Sequence, residues 1–314
     1  MATEASMRET YGTTLVALGK ENPDIVVLEA DLSKSTMTHF FGKEFPSRYF
    51  DVGIAEQNMV GIAAGLAASG KIPFASSFAV FVPGRCFDQI RMSVALPHLN
   101  VKLVATHSGI SVGEDGSSHH AIEDLSLACA LPGFTVIAPA DATETAQAVR
   151  LAAGCTGPFY IRLVRPRSPV IFDDNYQFVL GKAVTLREGN DATIMAIGIM
   201  VAEALKAADE LKQEGINCRV LNMSTVKPID EAAIIMAATE TGAIVTAEEH
   251  LKHGGLGSIV ARVVVSHHPV PVAFVAMNDT YAESGKGAEL MAKYGLTAKD
   301  IAESVREVIK RKAH

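Results

Sequence analysis

Three stretches of this sequence concentrate residue types that do chemistry rather than only pack. The densest is 106–124, Thr-His-Ser-Gly-Ile-Ser-Val-Gly-Glu-Asp-Gly-Ser-Ser-His-His-Ala-Ile-Glu-Asp. Its three imidazoles (His107, His119 and His120), clustered carboxylates and three glycines make a mobile polar loop able to orient a polar ligand and exchange protons with it. Imidazoles also ligate zinc, yet these spacings match no standard metal signature, so no metal ligand is assigned in this chain. A loop of solvated histidines is the plainer alternative. The second stretch, 51–66, reads Asp-Val-Gly-Ile-Ala-Glu-Gln-Asn-Met-Val-Gly-Ile-Ala-Ala-Gly-Leu. Gly61, Ala64 and Gly65 fall at helical spacing and permit close packing of a neighbour. Glu56 then lies near the helix start, where the dipole by itself favours a carboxylate. In the third stretch, 76–91, Phe78 and Phe81 stand three apart, a spacing that ordinary core packing explains. Arg8 and Arg165 stand singly. Each is either a surface ion-pair partner or, through its planar donor fork, a clamp for a phosphate.

These residues need a frame, and the apolar pattern supplies one. Runs of strand length at 25–28, 72–76, 101–106, 135–138 and 159–163, then at 193–197, 219–223, 243–247 and 272–276, alternate with longer segments of helical period. This predicts an α/β protein with two doubly wound domains built on mainly parallel sheets. Pro166 and Pro169 lie in a short polar stretch and mark a linker, placing the boundary near 175. The expected domains are 1–172 and 189–314, joined by 173–188. Helix starts are read near Ser35 or Thr36 and at Asp141, where Asp141 caps and Glu144 reaches back. The loop 106–124 leaves a strand at the carboxyl edge of its sheet, where open α/β folds bind ligands.

Composition narrows the function. Across 314 residues, 28 Lys+Arg against 35 Asp+Glu give a formal charge of −7, and 48% of residues are hydrophobic. That balance lacks the clustered cations a nucleic-acid or anionic membrane surface needs. Cys86, Cys129, Cys155 and Cys218 are widely spaced, fitting neither a zinc site nor a disulfide framework, and read as reduced packed thiols. The polar N-terminus and the lack of a long apolar run predict a cytoplasmic protein.

Taken in order, these segments resemble the carboxyl-terminal half of transketolase. The resemblance is carried by Gly-Ile-Ala-Glu-Gln-Asn at 53–58, the Phe78 stretch, the Gly-Glu-Asp-Gly loop at 113–116 with its flanking histidines, Ala-Pro-Ala-Asp at 138–141 and Leu-Val-Arg at 163–165. Further on it is carried by Ser-Thr-Val-Lys-Pro-Ile-Asp at 224–230 and Ala-Glu-Glu-His-Leu-Lys-His-Gly-Gly-Leu-Gly-Ser at 247–258. It implies a pyrimidine-binding domain followed by a transketolase C-terminal domain, with thiamine diphosphate held between subunits. Glu56 would hydrogen-bond the aminopyrimidine nitrogen and stabilise the imino tautomer. Phe78 and Phe81 would cradle the ring in place of a purely core role, and Ile54 would also touch the cofactor. His107, Asp115 and His119 would line the sugar channel, His107 toward the distal end, Asp115 toward a 2-hydroxyl and His119 near the reactive carbon. Arg8 and Arg165 would clamp a phosphate. The implied reaction is the pentose phosphate pathway's transfer of a two-carbon ketol unit from a ketose phosphate to an aldose, through a dihydroxyethyl intermediate.

Two departures stand out. Glu29 occupies the place where many full-length relatives carry a phosphate-binding serine, and a carboxylate facing a phosphate would repel it. The stretch after Phe81, Val-Pro-Gly-Arg at 82–85, is one residue longer than usual, and no aromatic is carried over there. The family's diphosphate and metal motif, Gly-Asp-Gly followed by Asn, does not occur in this sequence. The resemblance therefore implies one subunit of a split transketolase. A separate N-terminal partner chain would bring the diphosphate and Mg²⁺ or Ca²⁺ ligands in an α₂β₂ heterotetramer. The competing readings are the β subunit of a 2-oxo acid dehydrogenase decarboxylase component, a deoxyxylulose-phosphate synthase, and a non-catalytic scaffold subunit. The His107 and His119 pair suits a polyhydroxylated sugar better than an apolar oxo acid.

Overall fold

The run at Ile25–Glu29 has no exposed face, and its alternate residues feed two different cores. Ile25 and Val27 pack with Met7, Tyr11, Leu15 and Val149 on one side, while Val26 and Leu28 pack with Met59, Val60 and Ala63 on the other. Successive side chains of a strand point to opposite faces, so helices cover both sides of the sheet. The computed structural model describes residues 3–312. The terminal pairs 1–2 and 313–314, included in the expected domains, lie outside the described residues.

In the first domain the strands are β1 (Ile25–Glu29), β2 (Tyr49–Asp51), β3 (Ile72–Phe78), β4 (Lys102–Thr106), β5 (Thr135–Ile137) and β6 (Phe159–Arg162). They run parallel in the order β2-β1-β3-β4-β6-β5. Helices α1 (Met7–Glu21), α2 (Glu56–Ala68), α3 (Asp124–Ala130) and α4 (Ala142–Gly154) flank them. The second domain has β7 (Val184–Arg187), β8 (Ala192–Ala196), β9 (Cys218–Asn222), β10 (Thr225–Lys227), β11 (Ile244–Leu251) and β12 (Val272–Met277). Its sheet runs β12-β11-β8-β9-β7, parallel except for β7. Helices α5 (Met200–Gln213), α6 (Glu231–Thr241), α7 (Leu256–His267), α8 (Gly287–Lys293) and α9 (Ala298–Ile309) complete it.

Two features differ from the sequence reading. Strand β10 leaves its own sheet and adds an antiparallel edge to the first, with Thr225 opposite Ile137. The expected linker is not a tether. Its last part, Val184–Arg187, is strand β7, and its first part is bonded to α4. Tyr176 Oη donates to Glu144 at 2.6 Å, Gln147 donates to the Tyr176 carbonyl at 2.5 Å, and Phe178 N donates back to Gln147 at 2.7 Å. Asp141 caps α4 as expected, but Glu144 reaches past the cap to the Ala140 amide and accepts from Asn222 of the second domain. Tertiary contacts outweigh the local proline signal here.

Candidate active site

Neighbouring parallel strands end together, so the residues just beyond them converge. Phe78 closes β3 opposite Thr106, His107 follows β4, and Arg165 lies three residues past β6. At this edge the Phe78 ring stacks on His107 with centroids 3.8 Å apart and on Phe81 at 5.8 Å. His119 meets both phenylalanines edge-on, at 6.1 and 5.4 Å. Phe78 is buried while Phe81 stays partly exposed, so the pair is neither wholly core nor wholly surface.

Glu56 is the first residue of α2 and is 2% exposed. Gly53, three residues earlier, has φ +73°, a conformation that favours glycine and turns the chain into the helix. The partner of Glu56 is one the sequence reading missed. Arg85 donates to its Oε2 at 2.7 Å and lies over the Phe81 ring at 4.3 Å. Arg85 ends a π-helical turn, Val80–Arg85, in the stretch read as one residue longer. A π turn accommodates such an extra residue, and that was the available signal. Ile54, expected at the cofactor, is 77% exposed on the loop before α2.

The cationic side of the site is built by long-range bonds. Arg8 reaches from the first turn of α1 to the carbonyls of Ser35 at 2.6 Å and Arg165 at 3.2 Å. Arg165 donates to the Val112 carbonyl at 2.6 Å and lies 3.7 Å from Asp115 and 3.8 Å from Glu114. Burial, with the neighbouring Arg165, pulls the Arg8 guanidinium below its usual range. Burial together with Arg8, Arg165 and His119 pushes the His107 imidazole down to about 3, so it is neutral at physiological pH. Its φ of +57° is left-handed, and its Nδ1 lies 2.9 Å from Thr106 Oγ1. The structure thus brings Arg8, Phe78, Phe81, His107, Asp115, His119 and Arg165 to one edge. His120, by contrast, is 1% exposed and bonded to the Gly113 carbonyl, a loop brace rather than a site residue.

Glu29 does not face a phosphate. Its carboxylate turns inward and accepts from the amides of Ala30 and Leu32 and the hydroxyls of Thr36 and Thr38, at 2.6–3.2 Å. Burial pushes it up to about 7 despite those donors. Among the described residues no group of three or more His, Cys, Asp or Glu could hold a metal ion. Two cavities, of about 610 and 550 Å³, lie elsewhere, one beside Lys227–Asp230 and one between Pro166–Pro169 and α8. No described helix is long and apolar enough to cross a membrane.

Fold and site define a two-domain α/β protein whose first domain sets a helix-start carboxylate, a pair of aromatic faces and an anion-suited cationic corner at the carboxyl edge of one sheet. Residues 3–169 match the transketolase pyrimidine binding domain and 181–301 the transketolase C-terminal domain. A putative transketolase C-terminal section from Methanocaldococcus jannaschii is 46% identical over 97% of this chain and 96% of its own length. A 6-deoxy-6-sulfo-D-fructose transketolase subunit from a Clostridium species is 45% identical over 98% of this chain and 95% of its own length. Human transketolase is 42% identical, but the match covers 49% of it. A solved split gene transketolase, described as an inactive beta4 tetramer, superposes with a TM-score of 0.92 at 52% identity, covering 98% of this chain and 99% of that one. The chain belongs to the transketolase family.

Proposed function

We propose that this chain is the C-terminal subunit of a split transketolase, moving a two-carbon ketol unit between sugars with thiamine diphosphate and a separate N-terminal chain. The observation that carries this reading is the chain of contacts from Glu56 to Arg85, from Arg85 to the Phe81 ring it lies over, and through the stacked Phe78 to His107 beside Arg8 and Arg165. The donor set fits the pyrimidine half of the cofactor: a buried carboxylate for a ring nitrogen and a partly exposed aromatic face for the ring. When bound, the cofactor supplies a thiazolium carbon that becomes the carbon nucleophile. Glu56 holds the proton exchanged at the pyrimidine nitrogen, and Arg85 fixes the carboxylate through Oε2. Neutral His107 and the ring of His119 orient the sugar hydroxyls, Asp115 receives the 2-hydroxyl, and Arg8 and Arg165 hold the far end of the substrate. Exposed Ile54, on the loop before α2, would add an apolar contact for the cofactor.

The N-terminal chain docks, on this reading, on the outer flank of α2. Gly61 and Gly65 are exposed there with open space where a Cβ would stand, and Ile54, Ile62, Met92 and Leu96 expose apolar surface beside them. That chain would bring the diphosphate and divalent-metal ligands, in an α₂β₂ assembly. The substrate class is a ketose with an anionic tail, because Glu29 is turned inward and the Arg8 and Arg165 guanidiniums share one corner beside His107. The family accommodates both a sulfonated and a phosphorylated sugar, as the names of the Clostridium subunit and of an apulose-4-phosphate transketolase subunit indicate. A donor screen with the assembled complex tests this. Xylulose 5-phosphate or a sulfonated ketose should be used far better than the uncharged ketose, and equal use of all three would refute the class.

A further inference from the structure

We propose that Glu249, carried by β11 of the second domain, is a positioning residue for the substrate loop of the first domain. On the function proposed above, the C-terminal domain then sets substrate affinity as well as assembly. The loop after β4 turns at a short 3₁₀ segment, Ile110–Val112. Ser111 donates twice to the Glu249 carboxylate, its amide to Oε1 and its hydroxyl to Oε2, the latter at 3.2 Å. Gly109 lies against the same carboxylate with φ +73°, and a Cβ there would stand 2.1 Å from Glu249 Cδ. The far end of the loop is tied to the same strand. Arg162 donates to the carbonyls of both Ala121 and Glu249, at 3.1 and 2.9 Å, and Leu251 N donates to Ile122 O at 2.8 Å. The next second-domain segment, 284–287, packs on Ser111, Gly113 and Gly116, and the Ser111 carbonyl leaves no room for a larger residue at Gly287.

Burying a carboxylate is unfavourable unless donors compensate it. Glu249 is 2% exposed, and its compensation comes from the loop backbone and from Arg162, which also holds Asp124. The Ser111 amide can only donate, whereas its hydroxyl can also accept, so an amide at 249 could keep both bonds and only removing the side-chain oxygens breaks them. The consequence reaches the site through Val112, whose carbonyl anchors Arg165, and through Asp115, 3.7 Å from the same guanidinium.

The test is Glu249→Ala, which removes both acceptor oxygens, in the complex assembled with the N-terminal chain. The ketose KM should rise on the order of tenfold or more while kcat changes only a few fold, because misplacing a binding group acts on substrate capture. Cofactor affinity should hold, since Glu56 and Phe78 sit on other elements. Amide hydrogen exchange should accelerate over 109–119 and stay unchanged in α2 and β3. Ser111→Ala, which removes only the hydroxyl bond, should shift KM and exchange in the same direction by less. Unchanged KM with unchanged loop exchange overturns the proposal, as does acceleration spread through the whole chain with a parallel loss of cofactor. If the wild-type complex turns over no sugar, the proposed function fails, and loop exchange alone decides the role of Glu249.

Discussion

Replacing His107 with Asn tests the electrostatics of the site through stability rather than turnover. In the folded protein the imidazole is pushed down to about 3 from its ordinary 6.5, and the residue is 3% exposed. A base with a depressed folded pKa binds fewer protons in the folded state, so below pH 6.5 the unfolded chain takes up the extra proton. The stability held by neutral His107 is complete above pH 6.5 and is lost as the pH falls toward 3. At 1.36 kcal/mol per pH unit, lowering the pH from 7 to 5 removes about 2 kcal/mol. Asn tolerates the left-handed φ of +57° at this position better than most residues and has no titration in this range. It lacks the ring that stacks on Phe78, so the variant should be less stable at pH 7. Its deficit should then shrink by about 2 kcal/mol at pH 5. Urea unfolding of the whole chain, followed by circular dichroism for both proteins at both pH values, measures this. Two curves displaced by the same amount at pH 7 and pH 5 would refute the claim that Arg8, Arg165 and burial hold His107 neutral.

Other outcomes follow from other parts of the structure. Glu56→Gln should lower kcat of the assembled enzyme by at least about a hundredfold with the fold intact, as loss of a positioned proton-transfer group does; near-normal kcat would remove Glu56 from the chemistry. Arg162→Met leaves Asp124 buried without its guanidinium and should destabilise the chain by about 3–5 kcal/mol in denaturant titration, whereas an exposed pair such as Lys71 with Asp24 should matter little. Gly61→Leu adds bulk on the open flank of α2, so it should weaken association with the N-terminal chain at least about tenfold in sedimentation while leaving this chain's own unfolding midpoint close to wild type.

Much of the frame was legible in the sequence because hydrophobic period reports burial directly. Each apolar run read as a strand contains one, within a few residues at its ends. Missed strands such as Tyr49–Asp51, Val184–Arg187 and Thr225–Lys227 are short edge strands held by their neighbours, and the two-residue pair Glu4–Ala5 and Ser168–Pro169 is shorter still; all carry too little apolar pattern to announce themselves. The candidate site residues were proposed one at a time through the resemblance, and the contacts that join them were not legible. Glu29 reads as a repulsive charge in one dimension, yet Thr36 and Thr38, seven and nine residues on, turn it inward. Arg85 was unread because the extra residue hinted at an irregular turn without showing that its side chain reaches Glu56. Contacts across the domain boundary, such as Asn222 on Glu144, depend on tertiary structure alone.

The central claim is that this chain builds half of an active site. The direct measurement is ketol transfer, with thiamine diphosphate, a divalent metal and a phosphorylated or sulfonated ketose, by this chain alone and again after titration with its N-terminal partner. The chain alone should give no turnover, and activity should saturate at one partner per chain. Turnover by the chain alone, or none at any partner ratio, would contradict the claim.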